Sequence, residues 1–275
     1  MNTRAASADN LKDSIELRHC REVTEFQACV DLQREVWGFS DADLIPVRMF
    51  VVASKIGGQV IGAFARQMLI GFALSIPGSR DGRTYLHSHM LAVREEHRNA
   101  GLGRRLKLAQ RDDAIARTFE LMEWTFDPLE IKNAYLNIER LGVIARRYTI
   151  NQYGISSSPL QGGLPTDRCI AEWWLNSARV RRLLEAGQPI HVKPEVVIKV
   201  PAHVYDWKND PATRDRAREL QLANREQFLK AFSEGLVVLG YKRDQLGNGS
   251  FLLAHPEERF EFGSEMERET ASSCT

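Results

Sequence analysis

The sequence is poor in cysteine, with 4 in 275 residues, at positions 20, 29, 169 and 274. No two have CxxC spacing, and none clusters with histidine at zinc-ligand spacing. That argues against a disulfide framework and a structural zinc site, predicts no metal, and fits a reduced, cytoplasmic setting. Long apolar runs are missing too. Nothing approaches the ~20 consecutive apolar residues that span a bilayer, and the opening MNTRAASADNLKDS lacks the apolar stretch of a secretory signal. Nor is there an excess of charge of either sign. Lysine and arginine number 37 against 36 aspartates and glutamates, a net charge of +1. This gives no reason to expect nucleic acid or an acidic membrane surface as partner, and any anion site must be local. Two phosphate-binding motifs are also absent. No GxxxxGK[ST] occurs, and Gly101-Leu102-Gly103 runs into Arg104-Arg105-Leu106, without the third glycine of a GxGxxG fingerprint. No repeat recurs at a fixed period.

What is present is 43% hydrophobic residues, enough for a core, and one informative stretch over residues 85–118. Residues 85–93 read as a buried strand, 94–103 as a cation-rich loop ending in two glycines, and those from 103 on as a helix. Strand, glycine turn and helix N-terminus together make an anion site. The first turn of a helix leaves four N–H groups without partners, and the helix dipole adds positive charge there. Gly101 and Gly103 let the backbone close around a phosphate. Arg98 and Arg104 add full charges and forked donors.

Around this stretch, hydrophobic periodicity and chain breakers predict strands over 15–19, 59–65, 69–76, 121–126, 143–148 and 168–175. They predict helices over 24–37, 47–56 and 131–141. Thr24 should cap the first helix and Gly38 end it. Pro46 suits the start of the second. Residues 77–82 (PGSRDG) read as a turn, and Asp127-Pro128 closes a strand. Further on come a basic linker helix over 178–186, a strand over 195–200 between prolines, and a long helix over 211–233. Its inner face should carry Ala217, Leu220, Ala223, Phe228, Ala231 and Phe232. Strands over 236–241 and 250–253 follow. The expected organisation is a frayed arm (1–13), a main domain (14–180), a small α+β unit able to extend the main sheet (181–256), and a disordered tail (257–275).

The spacing Arg98-x-x-Gly101-x-Gly103, after a strand ending Leu91-Ala92-Val93, resembles the pyrophosphate loop of the GNAT acyl-CoA N-acyltransferases. The element order β, α, α, β, β, β, α, β, α, β, β resembles the whole GNAT core, over residues 14–176. Trp124-Thr-Phe-Asp127-Pro-Leu, Asn133-Ala-Tyr-Leu-Asn137, Leu141-Gly142, Tyr148…Asn151-x-Tyr153-Gly154 and Pro165-Thr-Asp167-Arg168…Glu172-Trp173 look like a bacterial acetyltransferase-like branch of that superfamily, here with a C-terminal extension.

The resemblance implies an α/β (α+β) fold with a mixed, mostly antiparallel sheet flanked by helices. It implies acetyl-CoA or another acyl-CoA as cosubstrate, and direct transfer to a small-molecule amine in a ternary complex. Leu91, Ala92 and Val93 would pair with the pantetheine arm, one N–H there polarising the thioester carbonyl. The amides of Arg98, Asn99, Ala100, Gly101, Leu102, Gly103 and Arg104 would hold the pyrophosphate. Asn133 and Asn137, one turn apart, would reach the arm from its other side.

Many members carry a glutamate base six residues before the position of Val93, where this chain has His87. Strand alternation puts His87, His89, Leu91 and Val93 on one face. Histidine, titrating near ~6.5 when unperturbed, suits removal of an ammonium proton, so His87 and His89 are the candidate bases. Asp127 is a weaker one, because its ordinary pKa lies near ~3.9. The tyrosine common four residues before the glycine that ends the second core helix is Ile138 here. Tyr135, Tyr148 and Tyr153 are the substitutes on offer, with Tyr148 carried as the candidate, although packing is the commoner use of each. Arg168 and Arg179 could read a substrate carboxylate, and for Arg179 a solvated face is the stronger expectation. One of Trp173 and Trp174 should be core, the other covered by the C-terminal unit. Rival readings are a non-catalytic acyl-CoA-binding module and a peptide or protein acetyltransferase. Edge strands and the extra unit leave room for a homodimer.

Overall fold

A computed structural model describes residues 15–154 and 156–262; the expected arm, most of the tail and Cys274 lie outside the described residues. In chain order the elements are β1 (Ile15–His19), α1 (Val23–Trp37), α2 (Val47–Lys55), β2 (Gln59–Ala65), β3 (Met68–Arg80), β4 (Arg83–Val93), α3 (Leu102–Ala116), β5 (Leu121–Phe126) and α4 (Ile131–Tyr135). Then come β6 (Ile144–Thr149), β7 (Arg168–Trp174), α5 (Ala178–Leu184), β8 (Val196–Val200), α6 (Val204–Asn209), α7 (Arg214–Ser233), β9 (Val237–Arg243) and β10 (Gly249–Ala254). The strands form one sheet in the order β1-β2-β3-β4-β5-β7-β6-β9-β10-β8. Its ladders are antiparallel except between β4 and β5. This is the expected mixed, mostly antiparallel sheet flanked by helices, and the C-terminal strands do extend it.

Alternation along the strands builds two packed layers. On one face Phe72, Leu74, Met90 and Ala92 meet Phe26 of α1 and Phe50 of α2. On the other, Ile70, Ala73 and Val93 meet Leu102 and Leu106 of α3, and Phe126 and Trp173 join Ile138, Phe228 and Phe251. Trp173 is fully buried and its indole N–H donates to the Leu141 carbonyl (2.7 Å), while Trp174 lies edge-on to Phe262, ring centroids 5.3 Å apart. One tryptophan is thus core, and the other is covered by Val237 of the C-terminal unit together with Phe260 and Phe262, which lie in the segment expected to be a disordered tail.

Three local expectations are corrected, and one helix was not foreseen. Glu22, not Thr24, caps α1: its side chain and that of Glu25 form a reciprocal capping box, with Glu25 also accepting from the Arg21 amide (2.7 Å). Residues 77–80 are strand, and the chain reverses only at Asp81 (φ 50°) and Gly82 (φ 72°). The β2 ladder reaches only Ser75, so Pro77 pairs with β4 alone, where a missing N–H is tolerated. On α7, Ala223 is exposed while Gln221 and Asn224 are buried. Their amides donate to the carbonyls of Pro165 (2.9 Å) and Lys199 (3.1 Å), so polar pinning does work expected of apolar contact. Helix α6 is too short to give a periodic pattern.

The C-terminal part is seamed to the rest at β6, where Ala145 pairs with Val238 of β9. Across that seam Tyr148 stacks on Phe228 of α7 (5.6 Å), and Arg225 of α7 pairs with the buried Asp167 (2.8 Å). Among the described residues no helix is long and apolar enough to cross a membrane.

Candidate active site

The parallel strands β4 and β5 pair only at Leu86↔Met122 and His87↔Glu123. Past those rungs they part, β4 toward the cationic loop and β5 toward α4, leaving a fork in the sheet. A bulge lies beside it. Strand β3 pairs Leu74 with Met90 and Ser75 with Ser88, so His89 is the extra residue.

The bulge resets the alternation of β4. Leu86 and Ser88 face α3, and so do Leu91 and Val93, whereas His87, Met90 and Ala92 face the side of α1 and α2. The expected common face for His87, His89, Leu91 and Val93 is therefore corrected, because period two holds only while pairing is regular. His87 is half-buried at the apex of the fork. Burial, then the nearby His89 and Lys107, push its pKa down to about 4, so it is a neutral imidazole at pH 7. His89 lies with its ring 6.1 Å away and keeps contact with solvent. The protein around it lowers its pKa too, an effect that its exposure tempers.

Beside His87, Glu123 is 3% exposed and held by Arg80 and Arg147. Arg147 also binds the buried Glu172 (3.0 Å), which Arg146 reaches from the other side (3.1 Å). Both Glu123 carboxylate oxygens are thus engaged by guanidinium donors. Further along β5, Thr125 and the Tyr153 hydroxyl share a hydrogen bond (2.7 Å), and the Arg168 guanidinium lies over the Tyr153 ring (5.6 Å). Sequence reasoning missed this polar face. Its trace was there, in single glutamates set in the apolar runs LMEWTF and RCIAEWW.

At the far end of β4 a 3₁₀ turn (Glu95–His97) leads into Asn99 (φ 60°) and Gly101 (φ 81°), and α3 begins at Leu102. Among the described residues, the amides of Asn99 to Arg104 meet no backbone acceptor. A Cβ on Gly103 would lie 3.4 Å from Leu91 Cδ2, in ordinary contact with it, so a larger side chain here would point into the space between α3 and β4. Arg98 folds back to donate to the Val93 carbonyl (3.0 Å). Arg104 donates to the Arg140 carbonyl (3.3 Å), tying α3 to the segment after α4; burial, then Arg140, lowers its pKa.

The helix expected over 131–141 widens into a π-turn at Leu136–Arg140. Such turns recur at functional sites. Asn133 is exposed and Asn137 is 1% exposed, its amide nitrogen without a hydrogen-bond partner. The two therefore differ in environment, unlike a matched pair on one regular helix face. Ile138 is fully buried.

Three other candidates have structural occupations. The Tyr148 hydroxyl donates to Asp167 (2.8 Å), and burial followed by this bond raises its pKa. Its strand lies two places from β5, about 10 Å across the sheet at ~4.8 Å per strand. That placement makes Tyr148 a poor proton donor at the fork. Asp127 accepts from the Leu129 amide (2.8 Å) and pairs with Lys208 (3.2 Å), clamping the turn before α4. Arg179, expected on a solvated face, is buried and donates to the carbonyls of Gly142 (2.9 Å) and Leu239 (2.5 Å); burial lowers its pKa to about 10.

One further residue escaped sequence reasoning. Lys107 of α3 is 4% exposed; its amine donates to Ser88 Oγ (2.7 Å) and lies 3.6 Å from the centroid of the Trp124 ring. Ser88 Oγ in turn donates to Gln110 (2.9 Å). Among the described residues no carboxylate pairs with Lys107, and burial holds its pKa well below the lysine range. The available sign was a lysine between Leu106 and Leu108 on a helix that must bury that side.

No protein-family model matches the sequence, and no curated protein does. Solved structures resemble it in fold. A ribosomal-protein-alanine N-acetyltransferase from Escherichia coli is 15% identical, covering 60% of this chain and 96% of its own, with a TM-score of 0.48. An acetyltransferase of the GNAT family from Streptococcus pneumoniae is 15% identical, covering 57% and 98%, with a TM-score of 0.47. An aminoglycoside acetyltransferase from an uncultured soil sample, in complex with sisomicin, is 13% identical, covering 45% and 85%, with a TM-score of 0.41.

Proposed function

We propose that the chain is a cytoplasmic GNAT-type acyl-CoA-dependent N-acyltransferase. It moves an acetyl or other short acyl group directly to a small-molecule amine in a ternary complex. The acyltransferase unit is residues 14–180, and 181–256 extend its sheet. The observation that carries the reading is the fork. It opens one residue past His87, and the arm that leaves it ends at a helix N-terminus whose amides are unpartnered. A pyrophosphate at that N-terminus suits both its free N–H groups and its dipole. From there a pantetheine arm can lie along Leu91, Ala92 and Val93, with Asn137 and its unpartnered amide on the α4 side. The thioester then reaches the apex, where His87, neutral at pH 7, has a lone pair for the acceptor's N–H; its lowered pKa makes it a weak base that relays the proton to water rather than holding it. Proximity in the fork supplies much of the remaining rate.

The test is thiol release from acetyl-CoA and succinyl-CoA with a panel of amines, alongside calorimetric CoA binding. His87→Ala should keep CoA affinity and lose turnover by roughly 10²-fold or more. Tight CoA binding without thiol release for any amine would replace this reading with a non-catalytic acyl-CoA-binding module. The trapped Glu123 and the buried Ile138 are what that rival has in its favour.

A further inference from the structure

Resting on the acyltransferase reading, we propose that Lys107 is a catalytic residue that gives a proton to the departing CoA thiolate. The last rung of the β4–β5 ladder is His87↔Glu123. The next residue on each strand is Ser88 and Trp124, and the Lys107 amine touches both, at 2.7 Å from Ser88 Oγ and 3.6 Å from the Trp124 ring centroid. It therefore closes the apex of the fork from the α3 face, while His87 faces the other side. An arm lying between α3 and α4 brings its sulfur to the amine, and an acceptor entering from the His87 side meets the carbonyl carbon. The two proton-handling groups stand on opposite faces of the sheet at the one place where it is open.

The immediate surroundings suit the task. A buried ammonium has three N–H groups, and Ser88 is its one hydrogen-bond acceptor among the described residues, so donors remain for a ligand atom. The Trp124 face favours the cation. With no carboxylate beside it, the proton is held weakly, as the lowered pKa reflects. Ile138 stands where the resemblance expects the usual tyrosine donor, so this step lacks its common provider.

The protons balance. The acceptor ammonium yields one proton to His87. Its nitrogen attacks the thioester carbonyl, the C–N bond forms, and the C–S bond breaks. The thiolate takes a proton from Lys107, and the second proton shed by the new amide nitrogen restores the Lys107 ammonium. The sum is acyl-CoA plus ammonium giving amide, CoA thiol and one proton, released through His87 to water.

The experiment compares the full-length chain with Lys107→Met and Lys107→Arg, using two donors, acetyl-CoA and the acetyl thioester of 4-nitrothiophenol. The aromatic thiolate leaves without protonation. With acetyl-CoA, Lys107→Met should lose roughly 10²-fold in kcat, with CoA affinity changed by no more than about threefold. With the aromatic donor the loss should shrink to about threefold or less. Lys107→Arg keeps the charge but does not release a proton, so it should show the same donor-dependent loss and carries the test if the methionine variant does not fold. Equal losses with both donors, no loss at all, or recovery of acylated Lys107 by peptide mass mapping would overturn the proposal. Wild-type protein that binds CoA and releases thiol, while Lys107→Met matches it, removes Lys107 alone. Wild-type protein that does neither removes the acyltransferase reading with it.

Discussion

Tyr148→Phe separates a catalytic tyrosine from a structural one. Asp167 is fully buried and accepts four hydrogen bonds: from the Tyr148 hydroxyl (2.8 Å), the Asn151 amide (3.0 Å), and Arg225 Nε (2.8 Å) and Nη2 (3.1 Å). Phenylalanine removes only the first, and the ring keeps its place against Phe228. A hydrogen bond to a charged group contributes about 1.5–3 kcal/mol. The Asn151 amide and both Arg225 contacts remain, so Asp167 keeps most of its partners and the loss should sit near the lower end, about 2 kcal/mol. For a chain of this size that is a fall in Tm of roughly 4–8 °C. Urea unfolding followed by tryptophan fluorescence would read the free energy, and thiol release from acetyl-CoA the activity. The expected result is a less stable protein whose kcat at 25 °C is within about twofold of wild type. A kcat loss of roughly 10²-fold or more with unchanged stability is what removing a general acid would give. That outcome would return Tyr148 to the site and refute its placement away from the fork.

Two further predictions concern the fork and the loop. His87 has a folded pKa of about 4 against 6.5 when unperturbed. Between those values the unfolded chain binds the extra proton, so stability should fall as pH drops from 6.5 to 4. In urea melts at pH 7 and pH 5, His87→Gln should show a smaller drop than wild type; an equal drop would mean His87 is not buried neutral. The same depressed pKa should keep kcat/KM from breaking near 6.5 on the acid side. Gly103→Val places a branched side chain toward Leu91, whose Cδ2 is already 3.4 Å from an added Cβ. CoA affinity measured calorimetrically should weaken by roughly tenfold or more, about 1.4 kcal/mol. Stability should change little, since valine disfavours a helix less than glycine does. Unchanged affinity would put the pyrophosphate elsewhere.

The elements most legible in the sequence were those with long regular periodicity or hard stops. The 15-residue α1 ended at Gly38, whose φ of 60° asks for glycine, and β5 stopped before Asp127-Pro128. The anion loop was legible because its glycines and arginines are local in sequence. What escaped depends on neighbours. The bulge at His89 arises from register with β3, which no pattern within β4 encodes, and it moved the histidine to the other face from Leu91. The arginine clamp on Glu123 joins residues from β3, β5 and β6. Lys107 looks like an ordinary helix lysine until Ser88 and Trp124 are placed around it. The π-turn after α4 likewise depends on how Asn137 and Gly142 accommodate β6, the Asn137 carbonyl accepting from Val143 (3.0 Å).

The two outer strands of the sheet have a bearing on association. Each is five residues long: β1 carries Glu16 and Arg18, and β8 carries Lys199 and lies between Pro194 and Pro201. Short, charged edges, one of them bounded by prolines, resist strand addition by a second copy. The vulnerable edge is internal. Strand β6 is met on its outer side through the pair Ala145↔Val238. If β9, β10 and β8 peel away before the rest unfolds, β6 becomes a bare template, and heating should drive the chain toward aggregation from a largely folded state.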